Sequence, residues 1–199
     1  MKHWTGDKNS TYRTIGARNI AAEEREDNDF YATDPKAIDR LLTVESPSQE
    51  IWECACGEGH LSRRLSQHGY NVYSSDLIDR GFGRGGIDFL NCNLTPAGDI
   101  LTNPPYKQAM EFVLKALELL KDGQRCYMFL KVLFLEGKTR REKLFSKFPP
   151  QRVHVFSERI LCAKNADFER TKNSGGGVLA YAWFVWEKGW IGKTMVDWI

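Results

Sequence analysis

Two consecutive prolines follow directly on an apolar run, because Asp99-Ile100-Leu101-Thr102 leads into Asn103-Pro104-Pro105-Tyr106. Neither proline has an N–H to give and each ring fixes φ, so no helix interior or strand ladder continues through the pair. Each proline also pushes the residue before it towards extended geometry, which stiffens the segment. A strand over 100–102 must therefore end here in a preset bracket of an amide side chain, proline carbonyls and an aromatic ring. Such a bracket can hold a planar amine by its edge and its face together.

Regular patterning begins at Asp34-Pro35, where proline suits the first helical position, Asp34 suits the cap, and Ala37, Ile38, Leu41 and Leu42 form an apolar stripe. Short strands are expected over 51–54, 71–75, 100–102, 125–132 and 153–156, and a long central strand over 179–186. Helices are expected after Gly57-Glu58-Gly59, over 109–120, where Ala109, Phe112, Val113, Ala116 and Leu117 share a face, and as a basic helix over 139–148. Strands alternating with helices imply an α/β fold, a mostly parallel sheet with helices on both faces. Ligands of such sheets sit past the carboxyl ends of the strands, near the point where strand order reverses. Gly57, Gly59, Asp76 and Asn103 all fall just past expected strand ends.

The 199 residues suit one domain, expected over 29–199 behind a flexible arm over 1–28, with no separate target-recognition domain. With 42% apolar and 27% charged residues the composition is that of a globular protein. No apolar run approaches the roughly 20 residues of a membrane span, and the first residues lack a signal-peptide core, so a cytoplasmic location without membrane contact is expected. Five scattered cysteines with only Cys54 and Cys56 close together do not make a metal-ligand pattern, so no metal is expected. The net charge of +2 hides an asymmetry: ten Lys or Arg against four Asp or Glu over 138–172, an excess of +6, which leaves the rest at −4. Lys138, Arg140 and Arg141 begin that basic stretch, as either a solvated helix face or a phosphate-facing surface.

Glu53-Cys54-Ala55-Cys56-Gly57-Glu58-Gly59 is a strand-to-helix turn whose glycines let a ligand approach the backbone. Asp76, seventeen residues after Gly59 at the end of the next strand, can hold both hydroxyls of a ribose. That pairing suits a dinucleotide or another adenosine-bearing cofactor. Ser62 stands where a dinucleotide fingerprint needs its third glycine, which argues against NAD, and no hydride-transfer site of a dehydrogenase stands out.

With these residues the chain resembles the class I S-adenosylmethionine-dependent methyltransferases, and among them the amino-methylating DNA group in its gamma motif order, over roughly residues 29 to 187. The resemblance implies a Rossmann-like fold with a seven-stranded, mostly parallel sheet, and S-adenosylmethionine as cofactor. It implies cofactor contacts from Glu53, Cys54, Gly57 and Gly59, from Asp76 at the ribose, and from Asn103. Asp88 and Phe89 stand where the family holds the adenine of the cofactor, although the residues alone also read as a turn cap and a core aromatic. Tyr31, Thr33 and Pro35 lie in a segment that resembles the motif closing over the methionine end. Asn103-Pro104-Pro105-Tyr106 resembles the catalytic motif. The Asn103 side-chain oxygen and the Pro104 carbonyl would take the amine hydrogens, and Tyr106 would stack on the base.

The family often places a second aromatic against the far face of the target base, and Cys162 stands where it is expected; Phe168 is the substitute. The substrate implied is the exocyclic amine of adenine in DNA, with Tyr106, Phe168, Lys138, Arg140 and Arg141 as its contacts. RNA is the nearest alternative partner. The same tetrapeptide also serves enzymes that methylate a protein glutamine amide, and a non-catalytic nucleic-acid-binding module could keep the fold.

Overall fold

The computed structural model describes residues 31–164, 168–169 and 179–199, and the arm expected over 1–28 lies outside the described residues. In chain order the main elements are β1 (Tyr31–Thr33), α1 (Lys36–Leu41), β2 (Glu50–Glu53), α2 (His60–Gln67), β3 (Asn71–Ser74), β4 (Asp99–Thr102), α3 (Ala109–Leu119) and β5 (Arg125–Lys131). After them come a short helix α4 (Lys138–Arg140), β6 (Arg152–Val155), β7 (Cys162–Lys164), β8 (Tyr181–Glu187) and β9 (Met195–Trp198).

The main sheet has seven strands in the order β3-β2-β4-β5-β8-β6-β9. Four of its six pairings are parallel, while β8 runs against both of its neighbours, β5 and β6. The expected mostly parallel sheet is thus a mixed one. Residues 181 to 186 are all buried, as expected for a strand enclosed on both faces.

The pleat sorts side chains between two cores. Trp52, Ile100, Cys126, Met128, Phe184 and Trp186 face α3, whose Phe112, Val113 and Ala116 pack on them. Ile51, Leu101, Tyr127, Phe129 and Trp183 point the other way, against Ala37, Ile38 and Leu41 of α1 and Leu61 and Leu65 of α2. Helices therefore cover both faces. The Trp183 indole donates to the Ala37 carbonyl at 2.9 Å, which satisfies the one polar atom that this large side chain buries.

Asp34 Oδ1 accepts the Lys36 N–H at 2.9 Å, so Asp34 caps α1 as its sequence implies. The expected basic helix over 139–148 is cut short: α4 widens into a π turn over Arg141–Phe145, and Leu144 is its one buried side chain. Without an apolar stripe to bury, little holds a longer helix in place. A small antiparallel ribbon sits apart from the main sheet, pairing β1 with β7 so that Thr33 lies opposite Cys162. Among the described residues no helix is long and apolar enough to cross a membrane.

Candidate active site

From β2 the chain passes to β3 on one side and then crosses to β4 on the other. These three strands are parallel, so their carboxyl ends share one edge of the sheet, and the order reverses between β2 and β4. A cavity of about 320 Å³ opens there. It is lined by Tyr31 and Thr33 of the ribbon, Glu53 and Cys54 of β2 and its turn, Asp76, Asp88, Phe89, and the Asn103, Pro104, Pro105 and Tyr106 bracket. Separate stretches of sequence thus meet in one chamber.

Asn103 is held in a defined orientation. Its Nδ2 donates to Thr33 Oγ1 at 2.8 Å and to the Tyr31 carbonyl at 3.3 Å, and reaches Cys162 Sγ at 3.7 Å. A carbonyl oxygen can only accept, so these partners fix which end of the amide is nitrogen. The other end, Oδ1, is buried without a hydrogen-bond partner among the described residues. A buried acceptor left unmet costs free energy of about 1–3 kcal/mol, which a donor arriving at the site would recover.

Tyr106 opens the turn that follows the prolines, Tyr106–Gln108. Its ring stacks on Tyr181 at 6.2 Å between centroids, and Tyr181 stacks in turn on Phe129 at 4.9 Å. The Lys131 ammonium lies 4.7 Å from the Tyr106 ring centroid, and the hydroxyl meets Cys162 Sγ at 3.5 Å. Burial pushes the Cys162 thiol up, so it stands beside Asn103 uncharged. The position where an aromatic was expected is thus part of the hydrogen-bonding collar of the bracket.

Three carboxyl groups serve the cavity, each differently held. Asp76 Oδ2 accepts the Gly57 N–H at 2.8 Å and its Oδ1 accepts the Ile78 N–H at 3.0 Å. Each oxygen keeps capacity for another donor. Asp88 accepts the Leu90 N–H at 3.0 Å and the Asn91 side-chain amide at 2.7 Å, so it caps a turn and lines the cavity as well. Phe89 packs edge-on against Trp52 with ring centroids 5.3 Å apart, so it is both core and wall. Glu53 is buried and bonded to the Ser62 hydroxyl; burial pushes its carboxyl up to about 8, against the hydrogen bond that lowers it.

Other expected contacts stand elsewhere. Gly57 and Gly59 are not among the lining residues. The Gly57 N–H is taken by Asp76, and a Cβ on Gly59 (φ +80°) would lie 2.2 Å from the Phe82 ring. The glycine-rich stretch 81–86 thus closes over the turn, tied to the end of β3 by the Ser75–Arg84 bridge. Pro35 starts α1 behind Thr33. The Phe168 ring stands edge-on to His60, 5.9 Å away, and not among the rings stacked with Tyr106. Lys138, Arg140 and Arg141 do not line the cavity; Arg140 Nε donates to the Phe134 carbonyl at 2.8 Å. Tyr181 and Lys131, which support the Tyr106 ring, were legible only as members of expected strands, and Arg80 and Gln108, which line the cavity, carried no sequence signal.

No family model matches the chain, and no curated protein does. Solved structures do. A candidate hemolysin from Streptococcus thermophilus is 10% identical, with a TM-score of 0.55 over 82% of this chain and 67% of its own. The fold also matches a candidate class I S-adenosylmethionine-dependent methyltransferase from Listeria monocytogenes, at 11% identity and a TM-score of 0.52 over 83% of this chain. The fold is Rossmann-like, of the kind class I methyltransferases use. The type IIG restriction endonuclease BpuSI matches at 16% identity and a TM-score of 0.54, again over 83% of this chain. This chain spans 62% of the Listeria protein and 26% of the endonuclease, and at these identities the likeness is one of fold.

Proposed function

We propose that this chain is an S-adenosylmethionine-dependent methyltransferase acting on the exocyclic amine of adenine in DNA. The observation that carries the reading is Asn103: its nitrogen is tied to Thr33 and Tyr31, and its buried oxygen lacks a donor. An amine N–H is one donor that would meet that oxygen.

The donor set of the cavity suits the cofactor. Asp76 would take ribose hydroxyl hydrogens and Asp88 an adenine amine, with Phe89 and Ile78 against the ring. Glu53 would face the cationic amino-acid end, where a positive ligand favours the carboxylate over the carboxylic acid. When bound, the cofactor supplies an electrophilic methyl group on a sulfonium.

The chain's own part is orientation. An aromatic amine is a poor nucleophile because its lone pair is delocalised into the ring. With Asn103 Oδ1 and the Pro104 carbonyl accepting its hydrogens, the nitrogen pyramidalises and its lone pair becomes directed. Tyr106 stacks on the base and holds its plane. Alignment of this kind lowers the barrier without a covalent enzyme intermediate. A base taken from a duplex must first be turned out, at a cost of a few kcal/mol, and stacking on Tyr106 offsets part of that.

The test is radiolabelled methyl transfer from S-adenosylmethionine to separate pools of unmethylated DNA, RNA and protein. Label is expected in DNA, and Asn103→Ala should lower it by about a hundredfold or more. Equal labelling by Asn103→Ala would remove the mechanism, and label confined to RNA or protein would remove DNA as the substrate.

A further inference from the structure

Leu133 and Leu135 are 63% and 43% exposed on the single 3₁₀ turn Val132–Leu135 that follows β5. The turn is braced from several sides. The Val132 N–H donates to the Ala180 carbonyl at 2.9 Å, and the Glu136 N–H to the Leu133 carbonyl at 3.1 Å. Phe134, between the leucines, is buried with its ring 5.6 Å from Phe184. From outside, the Arg140 guanidinium donates to the Phe134 and Glu136 carbonyls and lies 5.0 Å from the Phe134 ring centroid. Phe134, with the partly buried Val132 beside it, anchors the turn in the core, so the fold does not call for leucine at 133 or 135.

The turn stands at the catalytic edge of the sheet. β4 and β5 are parallel with Thr102 opposite Met128, and β5 runs on to Lys131, whose ammonium lies 4.7 Å from the Tyr106 ring centroid. Leu133 is two residues further along, within about 7 Å of chain. The stretch that carries it is cationic in sequence: over 131–141, Lys131, Lys138, Arg140 and Arg141 stand against Glu136 alone, and of these Lys138 and Arg141 are exposed while Arg140 is bonded to the turn. A rigid apolar tip within a basic rim complements a partner that is apolar inside and phosphate-lined outside, which describes a stack of paired bases.

We propose that the Val132–Leu135 turn is a wedge: Leu133, supported by Leu135, enters the base stack of duplex DNA beside the adenine held at Asn103 and fills the space that this base leaves. The proposal rests on the reading of DNA adenine as substrate. It gives the chain, within the catalytic domain itself, a means of holding a duplex open. Filling the vacated space with an apolar side chain offsets the lost stacking, whereas a strand that is already single gains nothing from the wedge.

The experiment compares methyl transfer to unmethylated genomic DNA in duplex form and after heat denaturation to single strands, for wild type, Leu133→Ala and Leu133→Phe. Leu133→Ala should lower the duplex-to-single-strand rate ratio by about tenfold, and Leu133→Phe should keep the ratio near that of wild type. The single-strand rate reports the folded fraction of each variant, and Leu133 is exposed enough that its truncation leaves the core intact. A ratio unchanged in Leu133→Ala overturns the wedge while DNA methylation stands. So does a wild type that labels single strands alone. A wild type that labels neither form of DNA removes the substrate reading, and the wedge with it.

Discussion

Glu53 and Asn103 are polar groups at the ends of adjacent strands, yet their surroundings ask different things of them. Asn103 keeps an unmet acceptor, whereas Glu53 is buried with a serine hydroxyl as its partner. A carboxylate in that position loses more hydration than the hydroxyl and backbone N–H of Ser62 restore, so burial raises its pKa from 4.5 to about 8. The folded state then holds a proton that the unfolded state has released. This proton linkage favours folding fully below about pH 4.5, declines as pH rises through the window, and is gone above about 8. Relative to Glu53→Gln, wild type should therefore lose about a few kcal/mol of stability across that window in urea unfolding. A difference that stays flat with pH would mean that the carboxyl is ionised in the fold. The same linkage predicts proton release near neutral pH when a cationic cofactor binds. Calorimetry in buffers of different ionisation enthalpy would register it in wild type and not in Glu53→Gln.

At the scale of elements, the ribbon of β1 and β7 does for the site what no strand of the main sheet can, because it supplies the Thr33 and Tyr31 acceptors that orient Asn103. The Asp34 N–H donates to the Leu161 carbonyl at 3.0 Å, and antiparallel alternation makes Ala32 and Ala163 the next hydrogen-bonded pair. Ala163→Pro removes that donor. It should lower methyl transfer by about tenfold or more while costing only about 1–3 kcal/mol in unfolding, since β7 lies outside the seven-stranded sheet. Loss of the whole cooperative transition in this variant would show that the ribbon belongs to the core. The ribbon is also where the sequence was least legible. Strands such as β5 and β8 announce themselves by runs of apolar residues that fill both cores. The bracket was legible because prolines act locally on the backbone, and Asp76 and Glu53 because strand ends are marked by where apolar residues stop. β1 and β7 have three residues each, too few for a period. β9 exposes all four of its residues, so no face is marked by burial. Phe82 over Gly59 is a contact between distant segments, which no local pattern encodes.

At the scale of the whole molecule, the net charge of +2 is the sum of opposed parts. Glu53, Asp76 and Asp88 stand in one chamber, where a cationic adenosine derivative would meet them. The stretch 138–172 carries an excess of +6, and its first members stand outside that chamber. Lys138 and Arg141 are exposed, and the Lys138 ammonium stands 4.0 Å from Glu142, a pairing weak enough for a phosphate to replace. Arg140 differs, since its guanidinium is already spent on the carbonyls of Phe134 and Glu136. If Lys138 and Arg141 each neutralise a phosphate, DNA affinity must fall with salt through release of condensed cations. The logarithmic slope should then shrink by about 2 when both are replaced by Gln. Arg140→Gln should act differently: it loosens the turn that carries Leu133, lowering duplex methylation with little change in slope. A slope that ignores Lys138→Gln with Arg141→Gln, measured by fluorescence anisotropy on duplex DNA across a salt series, would take the basic stretch out of the DNA surface.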